Sequence, residues 1–348
     1  MTGMNPPASP STMSPKSRAS PEATPDAAPV EIDEALPSDA DSTFDDELSS
    51  YTASLTSSVL NYPVEYGRRY HAYQAGSYAF PNDEAEKERL DLTHMLMTKG
   101  IGNKLFLAPV DEDKTRRILD IGTGTGIWAI QMGEDYPGAE VLGNDLSAIQ
   151  PSWVPPNVKF EIDDVEKPWV NGMFDFIFSR YMAASILDWP KLVGKAYNHL
   201  NPGGWAEFQD FDFQYYSEDG SFTDKHDTMK WANGFLEAAK KIQREPSPGP
   251  KLERWFKEAG FQNVVHRRFR FPIGPWPKDA HMKDVGLCTL ASLLDGLEAI
   301  SMKLFCGVLG WPEEEVLVLL AKVRSELKTH TFHAQFDFHV VYGQKPPE

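Results

Sequence analysis

The chain has 348 residues, about two domains' worth at common domain sizes, although single α/β domains of about 250 residues occur. Hydrophobic residues make up 41% and charged residues 24%, the balance of a globular protein. The net charge of −17 argues against non-specific attraction to DNA, RNA or anionic lipid, because phosphate binding needs a basic surface. No run approaches 18 consecutive apolar residues, so no transmembrane helix is expected. The start, MTGMNPPASPSTMSPKS, lacks the basic and apolar segments of a secretory signal. Two cysteines, Cys288 and Cys306, make neither a disulfide framework nor a multi-cysteine zinc site, and no metal is expected.

Residues 1–50 hold eight prolines, nine serines and one aromatic, Phe44, with ten acidic residues against Lys16 and Arg18. Such a segment buries too little apolar surface to offset its ordering entropy, so residues 1–54 read as a disordered acidic tail. Ser9, Ser14, Ser20 and Thr24 each precede a proline and are candidates for phosphorylation. From residue 51 the aromatics Tyr51, Tyr62, Tyr66, Tyr70, Tyr73, Tyr78 and Phe80 require something to pack against, and one ordered domain is expected over 55–348. A helix is expected over 83–107, opened by an Asn/Asp cap and carrying Leu90, Leu92, Met95, Leu96 and Ile101. Then follow β-rich runs separated by helices or loops: RRILDIG, AEVLGNDL, VKFEID, FDFIFS, WAEFQDFDF, VVHRRFRF and DFHVVYGQ. That alternation predicts a mostly parallel sheet with helices on both faces, and a ligand at the carboxyl ends of its strands. Residues 274–330 form too long a connection for a turn and are expected to be a helical cap, with a helix from Pro312 to Lys328.

The run Asp120-Ile121-Gly122-Thr123-Gly124-Thr125-Gly126 follows a strand and opens a helix, where a backbone without Cβ atoms can approach a ligand. Gly124-x-Gly126-x-x-Ala129 also satisfies the looser form of a nicotinamide dinucleotide fingerprint, and Asp145, 19 residues after Gly126, suits the ribose of either cofactor. Asp120 separates the two readings. A carboxylate there repels a pyrophosphate but suits the ammonium group of S-adenosylmethionine. Asp145, Asp163-Asp164-Val165, FDFIFS and Asn201-Pro202-Gly203-Gly204 follow in the order a methyl-donor site requires. Asp120, Gly122, Gly124 and Gly126 are assigned to the methionine end, Asp145 to the ribose, and Asp164 with Val165 to the adenine, with Asp163 as the alternative. Arg180 is assigned to the site, facing either cofactor or acceptor. Candidates for proton handling are His71, His94, Tyr181, Glu207 and His333, none of them compelling as a base.

The chain resembles the fungal LaeA-like (UMTA-type) class I S-adenosylmethionine-dependent methyltransferases from about Tyr66 to Pro346. The resemblance rests on Tyr66-Gly67-Arg68-Arg69-Tyr70-His71, GSYAFPNDEAEKERLDL, LDIGTGTGIWAI, GNDLSAIQPSWVPPNVKFEIDDVEKPW, LNPGGWAEFQD, GPWPKDAHMKDVG and VVYGQKP. It implies a Rossmann-like α/β fold: a seven-stranded, mostly parallel sheet with an antiparallel last strand, helices on both faces, and a helical cap before that strand. The family's first helix reads close to L-D-L-Q-H-H-L, whereas here it is Leu90-Asp91-Leu92-Thr93-His94-Met95-Leu96, so no role resting on paired histidines carries over. The group includes natural-product tailoring enzymes and regulators of secondary metabolism. The first expectation is therefore a cytoplasmic methyltransferase acting on a hydroxyl, amine or carboxyl of a fungal secondary metabolite. Its alternative is a nuclear regulator working through protein partners or protein methylation, which the acidic tail favours and the lack of a basic cluster does not. A dehydrogenase is the remote third. The segment from Tyr66 to Phe80 is expected to cover the site.

Overall fold

The structure, a computed structural model, describes residues 61–73 and 78–347. The expected tail, its phosphorylation candidates and part of the expected cover at 74–77 lie outside those residues.

A two-strand hairpin pairs Val64–Glu65 with Arg68–Arg69. Helix α1, Glu84–Gly100, starts where the Asp83 carboxylate accepts the Glu86 N–H, as an N-cap should. It ends seven residues before the expected boundary. Gly102 and Asn103 both turn left-handed, at φ 86° and 58°, so the helix stops although its apolar pattern continues. Then come β1 (Arg117–Ile121), α2 (Ile127–Asp135), β2 (Glu140–Asp145), β3 (Val158–Ile162), β4 (Phe174–Arg180), α3 (Trp189–Asn198) and β5 (Leu200–Phe211). The chain continues through α4 (Asp227–Lys241), α5 (Gly249–Ala259), β6 (Gln262–Pro272), α6 (Ala280–Met302), a π-helical turn (Lys303–Leu309), α7 (Glu313–Thr329) and β7 (Gln335–Gln344).

The seven strands form one sheet in the order β3-β2-β1-β4-β5-β7-β6. Only β7 runs antiparallel, to both β5 and β6. Sequence order reverses between β1 and β4, which opens a crevice above their carboxyl ends. Strand alternation assigns the faces. Ile118, Phe176 and Phe178 pack with Trp128, Ala129 and Met132 of α2 on one side. Leu119, Ile121 and Ile177 pack with Leu192, Val193, Trp255 and Phe256 of α3 and α5 on the other. Helix α5 shows why such a segment folds this way: Leu252, Trp255 and Phe256 make one buried stripe, and Gly260 at φ 100° closes the helix.

The third core joins the sheet to a helical cap. Phe271, Phe338 and Val340 from the strands pack with Trp231 and Phe235 of α4, Leu293 and Leu297 of α6, Phe305, and Leu320 and Val323 of α7. The cap is thus built from two connections, 212–248 as well as 274–330, and its first part was not foreseen from the sequence. Residues Ala280–Leu309 are long and apolar enough by composition to cross a membrane, contrary to the expectation from unbroken apolar runs. In the fold 67% of the apolar 18-residue stretch within it is buried in protein, which is the position of a core helix.

Candidate active site

At the carboxyl ends of β1, β2 and β4 lies a cleft with an empty volume of about 1150 Å³ including its open mouth. Strand β1 delivers Asp120 and the glycine turn to it, β2 delivers Asn144 and Asp145, the turn after β3 delivers Asp163, Asp164 and Val165, and β4 delivers Arg180. Helix α1 closes one side with Leu90, Thr93, His94 and Met97. Two bonds fix α1 there. The Thr125 hydroxyl donates to Asp91 at 2.5 Å, and His94 Nε2 lies 2.9 Å from the Gln131 carbonyl oxygen of α2.

Gly122 and Gly124 line the cleft at φ 65° and 57°, and a Cβ on Gly122 would stand 2.4 Å from the Met182 sulfur. Gly126 is different. It caps α2 at φ 83° with its Cα facing Phe160, and it does not line the cleft, so its role is to make the turn rather than to touch a ligand. Asp120 is 3% exposed and accepts the Thr123 hydroxyl at 2.6 Å. Burial pushes its carboxyl up to about 7, against the Thr123 hydrogen bond and the Arg180 charge. Asp145 accepts the Gly124 and Ser147 N–H groups at 2.9 and 3.0 Å, one on each oxygen, and burial lifts it to about 6 despite them. Each of its oxygens keeps a lone pair for a further donor.

Arg180 is no surface residue. Its Nη2 donates to His94 Nδ1 at 2.5 Å, and its Nη1 is buried with no hydrogen-bond partner. Because a guanidinium only donates, His94 must present its Nδ1 lone pair and carry its proton on Nε2, facing Gln131. Burial and the Arg180 charge drive His94 down to about 3, so it cannot take a proton from an acceptor. The remaining proton-handling candidates also sort by position. Glu207 lies away from the cleft: it is fully buried and accepts the Leu107 and Ala108 N–H groups, the latter at 2.5 Å, and the Gln209 amide. Its carboxylate thus holds the 105–108 loop, and strand alternation points it there. His333 pairs with Asp219 at 2.6 Å outside the cleft, and His71 is buried outside it, beside Tyr78. Within the expected cover, Tyr78 lines the cleft, whereas Arg68 is bound by Asp83 at 2.6 Å and Tyr66 is exposed.

Tyr181 is the candidate that the fold places well. It follows β4 in a left-handed conformation, φ 63°, with its N–H bonded to the Gln209 carbonyl. Its ring lines both the cleft and two narrow adjoining spaces beneath the cap. Phe80, Phe211, Phe213, Phe235, Phe336 and Ile300 give these spaces aromatic and apolar walls. One buried cation stands among them. Arg89 forms a fork-to-fork pair with Glu86 at 2.6 and 2.9 Å and donates to the Tyr181 hydroxyl at 2.9 Å. The sequence reading missed Glu86 and Arg89, although their i, i+3 spacing on an amphipathic helix was visible.

A cleft with a carboxylate beside a glycine turn, a second carboxylate ending the next strand and an acidic pair after the third defines a class I methyltransferase site. A methyltransferase domain family matches residues 93–266. Methyltransferase pytC of Aspergillus terreus is 49% identical over 302 residues, spanning 86% of this chain and 93% of that one. The secondary metabolism regulator LAE1 of Cochliobolus heterostrophus is 35% identical over 292 residues, 82% of this chain and 95% of that one. Among solved structures, phosphoethanolamine N-methyltransferase 2 of Haemonchus contortus with S-adenosyl-L-methionine aligns at 18% identity and TM-score 0.42, over 78% of this chain; the chain spans 55% of that protein's length. The chain belongs to the fungal LaeA-like family of S-adenosylmethionine-dependent methyltransferases.

The residues present fit S-adenosylmethionine. Asp120 meets an ammonium, Asp145 has lone pairs for ribose hydroxyls, Gly122 leaves room where a Cβ would collide, and Arg180 has a spare buried donor. When bound, the cofactor supplies a methyl group already activated on a sulfonium. The protein's share is then to hold the acceptor in line with that methyl and to exclude water.

Proposed function

We propose that the protein methylates a small, largely apolar ring-bearing molecule of fungal secondary metabolism on oxygen or nitrogen, in the cytoplasm. The observation that carries this reading is the pair of aromatic-walled spaces that share Tyr181 with the cofactor cleft. Such walls suit a flat apolar body, whereas a peptide inserted there would leave its amide groups short of partners. Besides Arg89 and the tyrosine hydroxyls, Thr93, Ser185, Thr289 and Ser292 supply the polar groups on the walls, and Thr93 and Ser292 are already 2.7 Å apart and bonded to each other. The lack of a basic run of five residues, the kind of segment that directs nuclear import, is what supports the cytoplasm.

A second reading follows from the 35% identity to a protein named as a secondary metabolism regulator: action through protein partners or on a protein acceptor. One experiment separates the two. Purified protein is incubated with labelled S-adenosylmethionine and an extract of the source organism, and label is counted in solvent-extractable metabolites and in precipitated protein. The expected result is label in the metabolite fraction, lost in Asp145→Ala and Gly124→Ala. Label confined to protein would reject the small-molecule reading.

A further inference from the structure

We propose that Arg180 is a carboxylate-binding site in the cleft, that it takes the carboxylate at the methionine end of the cofactor, and that His94 holds the guanidinium ready for it. The inference rests on the cofactor and not on the identity of the acceptor.

The first observation is a donor without an acceptor. Arg180 Nη1 is buried and unpartnered in the cleft wall, and among the described residues no carboxylate lies within ion-pairing distance of it. Asp120 and Glu207 act on it only through space. A buried donor nitrogen with an idle N–H carries a cost that an incoming anion removes. The second is that the group is held still. Nη2 is fixed on His94 Nδ1, His94 is fixed on Gln131, and the guanidinium carbon lies 5.6 Å from the Phe178 ring centroid. Phe178 in turn stacks on Trp128 at 3.9 Å. His94 is thus a positioning residue: its ring accepts from Arg180 and holds the guanidinium in the cleft wall.

The third observation is the polarity of the cleft. Asp145 ends β2, Asp163 and Asp164 follow β3, and Arg180 ends β4, with β1 and Asp120 between β2 and β4. Neighbouring strands lie about 4.8 Å apart, so Arg180 stands roughly 10 Å across the sheet from the ribose-binding position. The adenosine end therefore lies over β2 and β3, and the amino-acid end over β1 and β4. An amino acid presents one ammonium and one carboxylate. The cleft answers with one carboxylate, Asp120, and one guanidinium, Arg180.

A carboxylate on the acceptor would use the same chemistry, and the test separates the two sources. Affinities of the full-length protein are measured by calorimetry for S-adenosylhomocysteine and for 5′-methylthioadenosine, which keeps the nucleoside and sulfur but lacks the amino-acid group. Arg180→Met is expected to weaken S-adenosylhomocysteine about 10- to 100-fold, the size of a charged hydrogen bond, and 5′-methylthioadenosine less than about threefold. Arg180→Lys keeps the charge without the fork and is expected to fall between, which preserves the test if the Met variant does not fold. His94→Phe should show the same split to a smaller extent. Equal losses for both nucleosides, or no loss for either, would overturn the proposal. So would intact S-adenosylhomocysteine binding in Arg180→Met together with lost binding of 2-naphthoate to the loaded protein, because the anion would then belong to the acceptor. Failure of the wild type to bind either nucleoside would overturn the cofactor assignment as well.

Discussion

One carboxyl group and one ring account for most of what can be tested residue by residue. Asp120 is held protonated by burial up to about pH 7, yet it must be ionised to pair with an ammonium. The bound state therefore carries fewer protons than the free one below that pH. Affinity for S-adenosylhomocysteine should rise with pH by up to about tenfold per unit below pH 7 and level off above it. In Asp120→Asn the affinity should be weaker and this slope absent; calorimetry at three pH values reads both. Tyr181 gives the second test. Its hydroxyl accepts from Arg89, which leaves the phenolic proton to donate toward an acceptor in the adjoining space. Once an acceptor is in hand, Tyr181→Phe should lower kcat by about 10²-fold while leaving the affinity for S-adenosylhomocysteine within about twofold. Equal effects on both would assign Tyr181 to the wall alone. The glycine turn, Asp145 and the acidic pair were legible because their chemistry depends on local sequence. Arg89, Glu86 and the His94–Arg180 contact were not, since each acts across elements that only the fold brings together.

The seven strands are legible in the sequence as β-rich runs, whereas the antiparallel last strand comes only from the family resemblance. Strand β1, RILDI, is apolar on both faces, as a central parallel strand must be. The end of α1 was less legible: Leu105, Phe106 and Leu107 continue the apolar pattern, but Gly102 and Asn103 break the backbone before them. The 212–248 half of the cap escaped for a related reason. Its helix α4 has an ordinary amphipathic pattern, and nothing local says that Trp231 and Phe235 pack on α7 and the π-helical turn rather than on the sheet. Two glycines of opposite character test the packing of these elements. A Cβ on Gly286 of α6 would meet the Gly274 carbonyl oxygen at 2.0 Å, a backbone atom that cannot step aside. Gly286→Ala should cost about 1–3 kcal/mol. Gly194 in α3 has nothing within 4 Å of its would-be Cβ and no left-handed φ. Gly194→Ala should stabilise by about 0.5–1 kcal/mol through helix propensity. Denaturant melts of the two variants should move in opposite directions.

At the scale of the whole molecule, the cap and the sheet share one core, so cofactor binding should stabilise them together. Phe271 and Phe338 of the strands sit in the same cluster as the cap's Leu297, Phe305 and Val323, all 1% exposed or less. The sheet keeps two further cores against α2, α3 and α5, whereas the cap's apolar residues lie in the shared one, so the cap should not unfold without disturbing the sheet, which predicts a single cooperative thermal transition. A ligand at 100 times its dissociation constant adds about 2.7 kcal/mol, or roughly 4–5 °C for a domain of this size. That shift should itself depend on pH. In the free protein, Asp120, Glu207 and Asp210 are raised to about 7 and Asp145 to about 6, chiefly by burial. Each binds its proton in the folded chain after the unfolded chain has released it, so each loses stabilising effect as pH rises from about 4 to 7. His94 and His339, lowered to about 3 by burial, act oppositely: their burial costs least above the unfolded histidine value of about 6.5. Between pH 6.5 and 8 the two histidines add only the last part of their contribution, while the three carboxyl groups near 7 lose more. The free protein should therefore melt lower at pH 8 than at pH 6.5. With S-adenosylhomocysteine bound, the ammonium favours ionised Asp120, so the ligand-induced shift should be larger at pH 8. Differential scanning calorimetry at the two pH values, with and without S-adenosylhomocysteine, measures both. A ligand-induced shift of equal size at pH 6.5 and pH 8 would mean that Asp120 does not carry the ammonium.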